Sequence, residues 1–183
     1  MKESERKEPK KSAAKKTAEK RCCLVGIGMG NPHTLTEEAL EIINNSSVVV
    51  GASSIINSLP ESVTAKRVTA VTPAKIIDFF EKSRASSKAS CSCLLPAACF
   101  SGDTGFYSGA TKLIPLLESN GWKVRVVPGI TTAQYLSAKI RKPWQDWRLV
   151  SVHGIAVDAK NMVKTKSGKQ IIKKEFLCTI LGP

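Results

Sequence analysis

Three short loops contain the residues of this chain that are best suited to bind a small molecule. They are residues 25–32 (VGIGMGNP), 100–109 (FSGDTGFYSG) and 127–132 (VPGITT), and each follows an apolar run typical of a β-strand. Glycine has no Cβ, so backbone N–H groups in such loops can approach a ligand closely. The Asp103 carboxylate and the hydroxyls of Thr131 and Thr132 add polar side chains. The sequence therefore favours a ligand site at these loops.

The first loop alone leaves the ligand open. A dinucleotide fingerprint runs G-x-G-x-x-G into a helix and has an acidic residue about 20 residues further on. Here Asn31 and Pro32 interrupt the turn, residues 48–51 contain no acid, and no Gly-Lys-Ser/Thr follows that would indicate a phosphate-binding loop. Nucleotide binding is the less favoured alternative.

The second loop places Asp103 directly after the apolar residues 93–99. In open α/β sheets, ligands bind beyond the carboxyl ends of the strands, which favours a binding role for this carboxylate. The alternative is structural, because Gly-Asp is also a common turn in which the aspartate caps the next helix. Three such loops at one edge favour the binding interpretation.

Together the loops resemble the tetrapyrrole methylases. The resemblance rests on VGIGMGNPHTLTEEAL, SGDTGFYSG, VVPGITTAQYLSAKI and PWQDWRLVSVHG, and it runs from about Cys22 to Gly154. It is strongest to the branch that contains the cobalt-precorrin-7 (C5)-methyltransferases, also called precorrin-6Y methylases. It implies a two-domain α/β enzyme of cobalamin biosynthesis that binds S-adenosylmethionine between its domains and methylates a carbon of a precorrin ring. Related branches that act on RNA or diphthine, and a truncated binding module without catalytic activity, are the alternatives.

The resemblance also assigns cofactor-lining residues. They are Gly28, Met29, Gly102, Asp103, Phe106, Gly129, Thr131 and Thr132. It implies a corrinoid substrate, a homodimer, and a partner enzyme for further methylation and decarboxylation, but no catalytic residue and no metal. Thr104 stands where the family commonly has proline, and we expect this change to loosen the turn.

The elements that must position these loops follow from hydrophobic periodicity. Short β-branched runs alternate with helical segments, which predicts an α/β fold with a parallel sheet. The predicted strands are residues 22–26, 47–50, 67–71, 93–97, 123–127 and 148–153. Two predicted helices are 37–44, with Leu40, Ile43 and Asn44 on its apolar stripe, and 73–83, with Ile76, Ile77 and Phe80 on its own. We divide the chain into a tail (1–21), an N-terminal methylase domain (22–142) and the start of a second α/β domain (143–183).

The net charge of +13 is unevenly distributed. Residues 2–21 contain nine Lys and Arg against four Glu and no apolar run, which predicts a solvated tail rather than a signal peptide or membrane span. We therefore expect a cytoplasmic protein without membrane association. The tail could attract a polyanion, but the few aromatic residues (5%) argue against a nucleic-acid reader.

Two further groups of residues have a plain structural interpretation. The six cysteines form no C-x-x-C pair, so reduced and mostly buried thiols are expected. They are Cys22, Cys23, Cys91, Cys93, Cys99 and Cys178. Four basic residues could favour a carboxylate-rich substrate, although solvated surface charge explains them better. They are Arg125, Arg141, Lys142 and Arg148.

Overall fold

The computed structural model describes residues 19–86, 94–145 and 147, and it contains a five-stranded sheet flanked by helices. The strands are β1 Lys20–Gly26, β2 Ser46–Gly51, β3 Lys66–Thr69, β4 Leu95–Phe100 and β5 Trp122–Val127. The helices are α1 Glu37–Asn44, α2 Ser53–Ser58, α3 Pro73–Ser86, α4 Ala110–Ser119 and α5 Thr132–Ile140, and a short 3₁₀ turn spans Pro32–Thr34. The predicted α/β class is confirmed.

The strands are ordered β3-β2-β4-β1-β5, and every pair is parallel. In the centre, Val25 of β1 is in register with Cys99 of β4 on one side and with Val127 of β5 on the other. The carboxyl ends of these three strands therefore meet at one edge. The three glycine-rich loops follow those ends, so the predicted common edge is confirmed.

The helices cover the two faces of the sheet, and the direction of each crossover decides the face. The connections from β1 to β2 and from β2 to β3 run one way along the sheet, and those from β3 to β4 and from β4 to β5 run the other way. Right-handed crossovers then put α1 and α2 on one face and α3 and α4 on the opposite face. Accordingly Cys23 and Val25 pack with Ile43, whereas Leu24 packs with Phe80 and Leu113.

Local helix signals in the sequence were accurate. The Thr36 hydroxyl caps α1 by accepting the Ala39 N–H at 3.2 Å, and α3 begins at Pro73 as expected for proline in a first turn. Ile76 and Phe80 are buried, and Ile77 is half-buried beside them. These features depend on neighbouring residues only, which is why they could be predicted.

Several predictions need correction. In α1 the buried residues are Ala39 and Ile43, which face the sheet because residues four positions apart lie on the same side of a helix. Leu40 is only half-buried, and Asn44 is exposed. β1 begins at Lys20, so this residue and Arg21 belong to the sheet rather than to the tail. Helix α2 was not predicted.

Other predictions concern residues outside the described part. They are the tail through residue 18, the strand at 148–153, Cys91, Cys93, Cys178, Arg148 and nearly all of the second domain. The three described cysteines, Cys22, Cys23 and Cys99, are buried free thiols as expected. Within the described ranges, no helix is long and apolar enough to cross a membrane.

Candidate functional site

The candidate site is the edge formed by loop 1 (residues 27–31), loop 2 (101–109) and loop 3 (128–131). Loops 1 and 2 are joined by backbone pairing. Gly28 N–H donates to the Gly102 carbonyl at 3.0 Å, and Gly102 N–H donates to the Gly28 carbonyl at 2.7 Å. Both glycines have positive φ, +70° and +68°, which side chains disfavour. Glycine is therefore required for this bridge.

Loop 3 lies directly against the other two. A Cβ on Gly129 would collide with the Gly102 carbonyl oxygen and would lie 2.8 Å from the Gly26 carbonyl oxygen. A Cβ on Gly26 would lie 2.7 Å from Gly129 N. The three backbones thus touch at glycine positions, which leaves no room for side chains between them.

Asp103 links loop 2 to loop 3. Its Oδ1 accepts the Gly129 N–H at 2.9 Å, and its Oδ2 accepts the Gly105 N–H at 2.8 Å. Helix α4 begins at Ala110 with Gly109 as its N-cap, so the helix-cap alternative for Asp103 is wrong. The side chain is half-buried at the edge, where the sequence predicted it.

Thr104 adds a second link, which the sequence did not suggest. Its side chain is buried, and its hydroxyl donates to the Val127 carbonyl at 3.4 Å, at the end of β5. The expected loosening of the turn is not seen here, because the hydroxyl provides a contact that proline lacks.

Met29 and Thr132 meet where loop 1 approaches α5. The Thr132 hydroxyl donates to Met29 Sδ at 3.6 Å, a distance suited to sulfur. Met29 N–H donates to the buried Thr34 hydroxyl at 2.9 Å, which holds the turn in place. Thr34 was missed by the sequence analysis, and only its spacing after the glycines could have indicated it.

Thr131 and Phe106 have different surroundings. Thr131 is the N-cap of α5: its hydroxyl accepts the Gln134 N–H at 3.1 Å, while its own N–H donates to Gln134 Oε1 at 2.8 Å. The Phe106 ring is half-buried and meets the ring of Tyr107 edge-on, with centroids 5.0 Å apart. Tyr107 was also missed; it is 60% exposed and has a φ of 49°.

The basic residues proposed for a favourable field are not gathered at this edge. Arg125 pairs with Glu38 of α1 at 2.8 Å, and both side chains are exposed. Arg141 and Lys142 follow α5 and are exposed. The surface-charge interpretation therefore fits these three better.

The fold is an α/β fold with a parallel sheet, and the candidate site lies at the carboxyl edge of that sheet. Three neighbouring parallel strands end in glycine loops that are hydrogen-bonded to one another. Loop 1 leads into the Pro32–Thr34 turn, and α1 begins only at Glu37, so the glycines do not form the helix N-terminus that a dinucleotide site uses.

Comparison with known proteins identifies the family. Residues 21–181 match the family model of the tetrapyrrole (corrin/porphyrin) methylases, and the chain belongs to this family. The match extends beyond the resemblance that the motifs supported.

Two curated relatives share only about a quarter of their aligned residues with this chain. The chain is 22% identical over 141 residues to a probable cobalt-precorrin-7 C(5)-methyltransferase of Methanocaldococcus jannaschii, covering 76% of this chain and 64% of the relative. It is 26% identical over 133 residues to a probable cobalt-factor III C(17)-methyltransferase of Methanothermobacter thermautotrophicus, covering 72% and 37%.

Solved structures of similar fold include one with a bound ligand. It is the uroporphyrin-III C-methyltransferase of Thermus thermophilus in complex with S-adenosylhomocysteine, similar with a TM-score of 0.52 and 23% identity over 65% of this chain and 48% of that one. This likeness supports the fold. The chain thus spans from about a third to two thirds of the length of these proteins.

Proposed function

We propose that this chain is part of an S-adenosylmethionine-dependent methyltransferase that methylates a ring carbon of a precorrin or cobalt-precorrin in cobalamin biosynthesis. The observation that carries the proposal is the edge at which loops 1, 2 and 3 are bonded to one another, in a chain that belongs to the tetrapyrrole methylases. A pre-assembled backbone edge suits a cofactor that must be held in one orientation.

Apart from Asp103, the proposed cofactor contacts are the residues assigned by the family resemblance. Gly28, Gly102 and Gly129 keep the backbones close, while Met29 and Phe106 supply apolar walls. Thr131 and Thr132 stand at the start of α5, where the helix N-terminus leaves unsatisfied N–H groups. We further propose that the complete protein acts as a cytoplasmic homodimer, in a pathway that also needs a partner methyltransferase or decarboxylase.

In the proposed mechanism, the main task of the protein is to position the cofactor and the substrate. When bound, S-adenosylmethionine would supply an electrophilic methyl group on a sulfonium: an electron-rich ring carbon would form the new C–C bond in line as the S–CH₃ bond breaks and S-adenosylhomocysteine leaves. Loops 1 to 3 contribute by fixing the orientation of the bound molecules and by excluding water, which can account for several kcal/mol of the barrier. No side chain is assigned as nucleophile or base.

Calorimetric titration of the full chain with S-adenosylhomocysteine tests the proposal, using two half-buried phenylalanines. Phe106→Ala should lower the affinity about tenfold, which corresponds to ~1.4 kcal/mol of lost apolar contact. Phe79→Ala, on α3, should lower thermal stability and leave the affinity unchanged. Failure of the parent chain to bind, or equal binding by both variants, would contradict the assignment.

A further inference from the structure

The Asp103 carboxylate uses both of its oxygens inside the protein. One accepts an N–H from loop 3 and the other an N–H from its own loop, at 2.9 and 2.8 Å. We propose that Asp103 is a positioning residue that fastens loop 3 to loop 2 before any ligand arrives, rather than a direct cofactor contact. The proposal rests on the proposed function for the identity of the ligand, but not for the fastening itself.

Loop 3 has few other ways to be held. Pro128 has no N–H, the N–H of Gly129 is bound by Asp103, and that of Thr131 is bound by Gln134. Among the described residues, this leaves the Ile130 N–H as the donor that loop 3 can offer outward. Its direction is set by the peptides on either side, one of which is fixed through Gly129.

The chemistry requires a carboxylate. Two N–H groups from different loops converge on one side chain, and each bond to an ionised oxygen is stronger than a neutral one. An asparagine at position 103 would offer one acceptor oxygen, and its amide NH₂ would face the other N–H. Asparagine is nearly the same size as aspartate, but at most one of the two hydrogen bonds can survive the substitution.

The crowding at Gly129 explains why the bond matters. This residue lies against the Gly102 and Gly26 carbonyls, so two carbonyl oxygens face the same stretch of loop 3. These two carbonyls accept no hydrogen bond from loop 3 and therefore do not attract it. The Asp103 bond supplies the attraction that keeps loop 3 against them.

The test compares Asp103→Asn with Asp78→Asn in the full, ¹⁵N-labelled chain. Asp78 is an exposed carboxylate on α3 that bonds Lys82 at 2.7 Å, so its replacement controls for loss of charge. Amide exchange at Gly129 and Gly105 is followed by NMR without ligand, and S-adenosylhomocysteine is then titrated calorimetrically. We expect Asp103→Asn to speed exchange about tenfold at whichever of the two glycines loses its acceptor oxygen, and to weaken binding about tenfold where that glycine is Gly129. Asp78→Asn should change neither exchange nor binding.

Asp103→Glu provides a second variant. It keeps the negative charge but moves the carboxylate outward by one methylene, so it should also speed exchange at Gly129. In the parent, the Gly129 amide should exchange more slowly than that of the exposed Gly30. This comparison needs no variant to fold.

The outcomes separate the possibilities. Weakened binding with unchanged exchange at Gly129 would make Asp103 a direct ligand contact and overturn the proposal. Faster exchange at Gly129 with unchanged binding would overturn it as well, because the bond would then be purely structural. If the parent does not bind S-adenosylhomocysteine, the proposed function fails, while exchange at Gly129 still decides whether Asp103 holds loop 3.

Discussion

At the scale of single residues, glycine serves two separate purposes in this protein. Gly121, at the turn before β5, has a φ of +78° and open space around its Cα. Gly129 instead has backbone atoms of Gly102 in loop 2 and of Gly26 at the end of β1 where a Cβ would lie. The first position requires an unusual backbone angle, and the second requires the absence of a side chain.

Replacing each glycine with alanine should separate the two effects. Gly121→Ala should cost about 1 kcal/mol of unfolding free energy, the usual penalty for a left-handed residue with a Cβ. Gly129→Ala should cost more, about 1–3 kcal/mol, since backbone must shift, and it should also reduce binding of S-adenosylhomocysteine. Urea unfolding and calorimetry measure both quantities. If both variants lose the same unfolding free energy and Gly129→Ala still binds, the backbone around Gly129 can move to make room for a Cβ at little cost.

Buried thiols give the molecule a pH dependence on the alkaline side. Burial raises the pKa of Cys22 and of Cys99 from 9.0 to about 12 each, with Cys23 adding to the effect on Cys22. Above pH 9 the unfolded chain loses these protons while the folded chain keeps them. The stabilisation is therefore complete below pH 9 and is lost as the pH rises towards 12.

We expect the unfolding free energy to fall by about 1.4 kcal/mol per pH unit for each such thiol above pH 9. Urea titrations between pH 8 and 10.5 of the parent and of Cys99→Ala measure the slope. The variant should be less stable at every pH because the substitution leaves a cavity. Its unfolding free energy should fall less steeply with pH, by the contribution of one thiol. Parallel curves would rule out the assigned pKa for Cys99.

At the scale of elements, α5 connects the site to the rest of the chain. Thr131 closes its first turn with a capping box, and Arg141 ends it in the left-handed region with φ 54° and ψ 41°. Only Ala133 of this helix is buried. The helix thus relies on its ends more than on packing against the described residues.

Arg141→Gly should therefore stabilise the protein by about 0.5–1 kcal/mol, because glycine adopts this conformation without strain. Arg141→Ala removes the same charge and keeps the strain, so it should leave stability nearly unchanged. Thermal melting of the two variants measures the difference. A glycine variant no more stable than the alanine variant would mean that the left-handed turn costs nothing here.

At the scale of the whole molecule, the basic N-terminal tail and the sheet meet at Lys20. This residue begins β1, and its Nζ contacts Glu81 at 2.7 Å and the carbonyl of Asn120 at 3.3 Å. The Glu81 carboxylate also accepts the Trp122 indole N–H at 3.1 Å. A deletion that stops before this contact should behave differently from one that includes it.

Removing residues 1–18 should leave the melting temperature unchanged and abolish any salt-sensitive binding to a polyanion, since counterion release accounts for such binding. Extending the deletion through Lys20 should lower stability, because a strand residue and its partly buried ion pair are lost. Melting curves and RNA binding at two salt concentrations test both statements. RNA binding that survives the shorter deletion with a sequence preference would favour the RNA-methyltransferase alternative.

The sequence by itself determined the α/β class, the cap at Thr36, the start of α3 at Pro73, the identity of the three loops and the family, because each depends on local residue patterns. It also placed the loops at one edge, since parallel strands share a direction. It could not show that Asp103 binds Gly129, 26 residues away, or that Thr104 reaches Val127. Those contacts depend on β5 lying beside β1, and strand order is decided only when the helices pack on both faces. The tertiary structure therefore decided how the loops are fastened.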